Sequence, residues 1–472
     1  MNLMQEFLTL EVVQHLSEDP SMLQLRLIDC ATVEAAGFLA ELRQLLSPEG
    51  DLVPASGQQL TREVFGEALS PNHAVQRICQ HVQKDGLSAV QKFSQAFDRF
   101  TLTRANLRVS AEELMEAHRQ ARPAFLQAIR QIRNQVLTFQ LGILNRDARL
   151  EPQPGTEITL RYRPLRRIGV CVPGGAAAYP STLLMTVVPA QAAGVQEVAV
   201  VAPPTPYGAN NSDGLATCHE LGVTEVYRLG GAQAVAALAY GLGDALDRVD
   251  MIVGPGNLFV ALAKKHVFGQ CGIDSIAGPS EVVVLADETA SPSLVALDLI
   301  AQAEHSPGAS LLITWSRKLA EAVPAQLERH LSSLSRGDLT RECLERFGAI
   351  ILARDEAEAL RITNEIAPEH LHIQTNQLEE HAEAIRNAGA IFLGAYTPVA
   401  VGDYAAGPSH VLPTGGTARF AHGLNANDFL KPMSIVKLDQ AALNQLAKAI
   451  ETVALVEGLT GHARSVTERV QP

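Results

Sequence analysis

The spacing of hydrophobic positions changes character about a third of the way along the chain. Through Ala74–Phe97 and Ala111–Phe139 apolar residues recur at helical intervals, with Gln, Arg and Glu filling the opposite faces. From Arg167 onward, short β-branched runs alternate with helix-length segments. The pattern predicts strands at 168–172, 197–202, 225–229 and 250–253, with helices at 181–193, 214–221, 232–240 and 258–268. A second series follows, with strands at 281–285, 310–315, 348–353, 371–374 and 390–393. Its helices fall at 292–305, 317–334, 355–366 and 377–388. Strands joined by helices in this way make parallel sheets with right-handed crossovers, so the two series predict two α/β domains. After Gly394 the chain is loop-rich to about Asn427 and helical again from Gln440. At the other end, Val33–Leu46 has a helical pattern, and Gly50–Gly57 reads as a loop that sets off residues 1–65.

Composition narrows the class. The chain has 472 residues, 47% hydrophobic and 19% charged, which fits several cores in a globular protein. A net charge of −13 argues against nucleic acid and against attachment to an acidic membrane surface. Apolar runs such as Leu183–Val188 are far too short for a bilayer span. Glu6, Glu11, Glu18 and Asp19 disfavour a targeting peptide, so a soluble, cytoplasmic protein is expected. Six widely spaced cysteines include no C-x-x-C. They are expected to be reduced thiols, and any metal would need nitrogen and oxygen ligands.

Chemistry is expected where strands hand over to helices. Three glycine-rich turns occupy such places: Val172-Pro173-Gly174-Gly175, Leu229-Gly230-Gly231-Ala232-Gln233 and Gly254-Pro255-Gly256-Asn257. Backbone N–H groups at helix starts suit phosphate, although any tight strand-to-helix turn favours glycine. None is a dinucleotide fingerprint: Phe259 stands where the third glycine would be, and Pro203-Pro204 replaces an acidic ribose ligand. Gln302 and His305, three apart, share one helix face. Pro368-Glu369-His370 sets a carboxylate beside an imidazole, two acid/base groups or an exposed loop pair. Asp403 lies in the Gly402–His410 loop, as an Asx turn or a ligand. Glu457 and His462 are about 140° apart on a straight helix, but Gly461 can break it. Gln302, His305, Asp403 and His462 would make an N/O set suited to zinc with an open position, although spacing does not show that they meet.

These residues resemble one family, the histidinol dehydrogenases. The resemblance rests on the three turns above together with Pro180-Ser181-Thr182, Ala277-Gly278-Pro279-Ser280-Glu281 and Gln302-Ala303-Glu304-His305. It continues through Pro368-Glu369-His370-Leu371, Gly402-Asp403-Tyr404-Ala405, His410-Val411-Leu412-Pro413-Thr414 and Leu459-Thr460-Gly461-His462, in the family's order across roughly 66–470. The resemblance implies an enzyme that oxidises L-histidinol to L-histidine through histidinaldehyde, using NAD and one zinc ion per subunit. It implies zinc ligands at Gln302, His305, Asp403 and His462 and an acid/base pair at Glu369 and His370. Substrate contacts would come from Ser280, His370 and Glu457 besides the zinc ligands, with neutral His370 taking the alcohol proton. NAD contacts are expected at Gln233, Asn257 and the position of Cys171.

The fold it implies is two incomplete Rossmann-like parallel-sheet domains with helical N-terminal and C-terminal segments. The expected division is a helical extension 1–65, a first domain 66–170 plus 282–425, a second domain 171–281, and a helical segment 426–472. In the implied homodimer that last segment completes the partner's site. Two departures stand out: Cys171 replaces a common Tyr and neither stacks nor reaches as a phenol does, and Ser306 replaces a usual Gly. A sister enzyme acting on another polar alcohol, such as a sulfonated diol, is the near alternative, and Glu457 beside His462 favours the imidazole amine. A catalytically silent paralogue acting in binding or assembly is the alternative of another class.

Overall fold

The computed structural model describes residues 14–15, 23–32, 37–38, 40–41, 55–175, 178–305 and 307–470. Most of the predicted Val33–Leu46 helix, and Ser306, lie outside them.

Two parallel sheets dominate. The smaller has five strands in the order Glu225–Arg228, Glu197–Ala202, Arg167–Cys171, Met251–Val253 and Gly272–Ile273, all parallel. Chain order reverses between Arg167–Cys171 and Met251–Val253. The turns that begin at Val172 and Gly254 therefore flank the crevice where doubly wound sheets bind ligands. Gly254 shows how tightly they approach. Its φ is +102°, and a Cβ there would stand 2.3 Å from the Cys171 carbonyl oxygen, so only glycine fits.

The larger sheet has seven strands: Gln14–His15, Arg26–Asp29, Gly348–Leu352, Gly308–Thr314, Ser280–Ala286, His370–Gln374 and Ala390–Leu393. All pairings are parallel except the first. Val282–Ala286 is buried without alternation, as expected of a strand with helices on both faces. The helix Pro292–Ala303 covers it with Val295, Ala296, Leu299, Ile300 and Ala303, a stripe at helical spacing. Each fully buried Leu or Ile in that stripe contributes about 1.5–3 kcal/mol. The carboxyl-end crevice of this sheet is closed by Asp287. Its carboxylate accepts from the Asn376 and Thr289 N–H groups, and its own N–H donates to the Gln374 carbonyl.

The fold departs from the expected division in three places. The N-terminal piece is not wholly helical, because Arg26–Asp29 pairs in parallel with Gly348–Leu352. Leu23, Leu25 and Leu27 alternate with Gln24 and Arg26, a period of two that buries all three leucines. The helices Pro71–Asp85, Ala111–Gln120 and Pro123–Gly142 pack mainly with the five-stranded sheet rather than with the seven-stranded one, although Gln140 also donates to the Gly407 carbonyl. Val75, Ile78 and Val82 share a core with Val235, Leu238 and Leu262, and Val109, Leu114 and Ile129 share one with Ile168 and Leu183. They cover the five-stranded sheet. Finally, the C-terminal segment opens with a strand, Leu430–Leu438, paired antiparallel with Thr156–Pro164, which also pairs with Ala148–Leu150. Its Thr-Glu-Ile-Thr-Leu-Arg-Tyr-Arg alternation is again a strand period.

Candidate active site

The candidate residues gather at the amino edge of the seven-stranded sheet, facing the five-stranded sheet. The helix Glu356–Ile366 ends at Ala367, which takes a left-handed conformation (φ 52°, ψ 61°) that L-residues adopt at a cost of about 1–2 kcal/mol. That turn delivers Pro368 and Glu369 to the start of the strand His370–Gln374, next to Ser280–Ala286. Glu369 and Glu281 then hold one another: the Glu281 N–H donates to Glu369 Oε2 (2.9 Å), and the Glu369 N–H donates to Glu281 Oε1 (3.3 Å). Gly415 N–H also donates to Glu281 Oε1 (3.1 Å).

His370 is oriented by the same strands. Its Nδ1 lies 3.2 Å from the Glu281 carbonyl oxygen, which can only accept, so Nδ1 carries a hydrogen. Nε2 faces Asp403 at 3.5 Å, too long for a good hydrogen bond, and is buried without a partner. Asp403 is brought there by the short helix Val399–Tyr404, which rests on Phe392. A Cβ on Gly402 would stand 2.4 Å from that ring, so the missing side chain sets the approach. Gln302 and His305 come in from the end of the helix Pro292–Ala303. That helix is locked to the His370 strand by Asp298, one turn before Gln302: Gln374 Nε2 donates to it (2.8 Å), and His372 Nδ1 lies 2.9 Å away. The Gln302 Nε2 position is buried and unpartnered, against the Cα of Gly308.

The electrostatics follow from this crowding. Burial alone would lower the His370 imidazole, but Glu369 and Asp403 outweigh it and hold the ring at about 9. Burial raises the Asp403 carboxyl, yet the His370, His410 and His305 imidazoles hold it below the ordinary carboxylate range. Desolvation lowers His305 and His410, favouring the neutral imidazoles that coordinate metals. His305 is nevertheless exposed at the surface. Burial also raises Glu369, and burial together with the Glu369 charge raises Glu281 to about 7.

The other expected residues fall elsewhere. Glu457 and His462 are exposed. Their helices, Gln440–Val456 and Thr460–Val470, pack on one another and make no extensive contact with another helix or strand among the described residues. Among those residues no three His, Cys, Asp or Glu side chains form a metal cage. Cys171 is buried in the core, its thiol pushed up to about 12 by burial, so its side chain is not presented to a cofactor. Gln233 is also buried, and its amide donates to Asp98 (3.2 Å), whose carboxyl burial raises to about 6. Asn257 caps the helix Leu258–Val267 by accepting from Val260 N–H (3.2 Å).

Comparison with known proteins gives this cluster a lineage. The family model described as Histidinol dehydrogenase matches residues 65–470. A histidinol dehydrogenase of Rhodopirellula baltica is 58% identical over 443 residues, covering 94% of this chain and 96% of its own. The chain belongs to the histidinol dehydrogenase family. A second member, from Synechococcus, is 45% identical over 399 residues, 84% of this chain and 92% of its own. The likeness extends to shape: the crystal structure of histidinol dehydrogenase from Elizabethkingia anophelis superposes with a TM-score of 0.81 at 30% identity, covering 89% of this chain and 96% of that one.

Set within the histidinol dehydrogenase family, the cluster also contains Glu281 and His410, which local pattern marks only as a strand start and a loop residue. Both stand inside ordered motifs, Pro279-Ser280-Glu281 and His410-Val411-Leu412-Pro413-Thr414, and that placement was the available signal. His410 Nδ1 lies 3.0 Å from the Asp403 carbonyl oxygen, which fixes the loop that carries the candidate ligand.

Proposed function

We propose that this chain oxidises L-histidinol to L-histidine, the last steps of histidine biosynthesis, by two successive hydride transfers to NAD⁺ through histidinaldehyde. One observation supports the reading: His370, its Nε2 buried without a partner, faces Asp403 beside the interlocked carboxyls of Glu369 and Glu281.

Gln302, His305 and Asp403 would hold a zinc ion, with the partner subunit's His462 completing the set. The fit is supported by Gln302, whose buried amide has no protein partner at its Nε2 position. Turned over, it would present an oxygen there. Bound zinc supplies a Lewis-acid anchor for the substrate's amine and imidazole. His370 has only one nitrogen free to accept a proton, because Nδ1–H is committed to the Glu281 carbonyl. Nε2, which faces Asp403 and has no other partner, is the atom that would take the alcohol proton. Glu369, raised by burial, is suited to take a proton from the water that hydrates the aldehyde. Ser280, at the start of the strand that carries Glu281, would touch the substrate.

The nucleotide would lie in the crevice between the Val172 and Gly254 turns. A homodimer fits the C-terminal helices: Leu446, Ile450 and Val453 form an exposed apolar stripe at helical spacing that ends at Glu457. Docked on a second copy, that stripe would bring the partner subunit's Glu457 and the partner subunit's His462 to the cluster.

The test is to mix purified protein with L-histidinol and NAD⁺, with and without a chelator. About two NADH per histidinol, lost on chelation, is expected from a four-electron oxidation. No NADH from histidinol, with turnover of another alcohol, would overturn the reading.

A further inference from the structure

The chain passes from the five-stranded to the seven-stranded sheet through one short link, Asp274 to Pro279. At its start is an ion pair that no step above uses. Lys264 on the helix Leu258–Val267 and Asp274 form a salt bridge with side chains only 2% and 3% exposed. Both ends of the pair grip one residue: Lys264 Nζ donates to the Gly254 carbonyl (2.9 Å), and Gly254 N–H donates to Asp274 Oδ2 (2.7 Å). The other oxygen, Oδ1, accepts from Ser275 N–H (2.7 Å). Four residues further on, Pro279 leads into Ser280 and Glu281, where the catalytic cluster begins. The link is pinned there as well, by Gly278 N–H donating to Thr414 Oγ1 (2.7 Å).

We infer that Lys264 and Asp274 are positioning residues that fix the nucleotide turn relative to the substrate-bearing strand. The inference rests on the reading of the crevice between the Val172 and Gly254 turns as the nucleotide site. Gly254 has a backbone conformation that few alternatives can share, and its N–H and C=O are both satisfied by this pair rather than by a strand neighbour. A buried ion pair adds little stability over a well-packed apolar pair, so its geometry is the better reason for it. Through Asp274 the same carboxylate restrains the turn on one side and the start of the link on the other. Hydride transfer depends on such relative placement, and an error of about 1 Å can slow it about a hundredfold.

The test replaces the pair with apolar residues of similar size, Lys264→Met with Asp274→Leu, in the full-length protein. NADH affinity is measured by fluorescence titration, and the deuterium isotope effect with carbinol-deuterated histidinol is compared with wild type. Thermal midpoint and zinc retention are followed in parallel, because a purely structural loss would move those instead. We expect NADH affinity to fall at least tenfold and the isotope effect to rise, with midpoint and zinc retention little changed. NADH affinity and isotope effect both within twofold of wild type would overturn the positioning role. If the double variant does not fold, Lys264→Met alone replaces it. That variant leaves Asp274 its two backbone donors, and an unchanged NADH affinity there overturns the role equally. A wild-type protein that takes up no NADH would instead overturn the reading of the crevice, and this inference with it.

Discussion

Replacing Glu281 by Gln separates the charge of this buried carboxyl from its hydrogen bonds. Glu281 Oε1 accepts from the Glu369 and Gly415 N–H groups, and a glutamine oxygen can accept both. Only the ionisation is lost. Burial and the Glu369 charge raise Glu281 from 4.5 to about 7 in the folded chain. Between those values the unfolded chain has released the proton and the folded chain has kept it, so folding stability must fall as pH rises through the window. The fall amounts to about 3 kcal/mol in all, and about 2 kcal/mol of it lies between about pH 5.5 and about pH 8.5. Above about 7 it is complete, since both states are then ionised. Glu281→Gln carries no such penalty. Measured by urea unfolding, the variant should gain on wild type by about 2 kcal/mol on going from about pH 5.5 to about pH 8.5. A stability difference that is the same at both pH values would refute the argument, since it would mean that Glu281 is ionised across the range or is paired by a group outside the cluster described here.

Three further outcomes are expected. His370→Asn should slow alcohol oxidation by about 10²–10⁴-fold while leaving zinc retention unchanged, and turnover within twofold of wild type would remove His370 from the mechanism. Because the imidazole is held at about 9 in the metal-free chain, zinc-free protein followed by NMR should show this ring protonated at neutral pH and losing its proton only as pH approaches about 9. Val453→Asp on the C-terminal stripe should weaken self-association, because it buries an unpaired charge. Sedimentation velocity checks this, and an unchanged mass would mean that the stripe is not the interface.

The two α/β series were legible because buried parallel strands such as Val282–Ala286 carry an unmistakable run of apolar residues, and the helix stripes between them repeat at 3.6. What escaped was shorter and alternating. Leu23, Leu25 and Leu27, and the Thr156–Pro164 strand, have a period of two in short segments flanked by helical pattern. Attachment of the helices 71–142 to one sheet rather than the other is a property of packed surfaces, not of local pattern. At the site, Gln302, His305, Asp403, Glu369 and His370 were legible from motif context. The surroundings of His370 were not, since Asp403 approaches it only because Gly402 lets a helix settle on Phe392. The setting of Cys171 was hidden for a related reason: a strand end close to a glycine turn leaves its thiol in the core.

Asp287 closes the one place where the seven-stranded sheet would otherwise have opened a second crevice of the same kind. For a four-electron oxidation this has a temporal consequence. On the proposed reading a single crevice would serve two nucleotides in turn, so the half-oxidised product would have to remain in place while one carrier departs and another arrives. The retention time of a reactive aldehyde, rather than the intrinsic speed of either transfer, then becomes the quantity that the architecture has to protect.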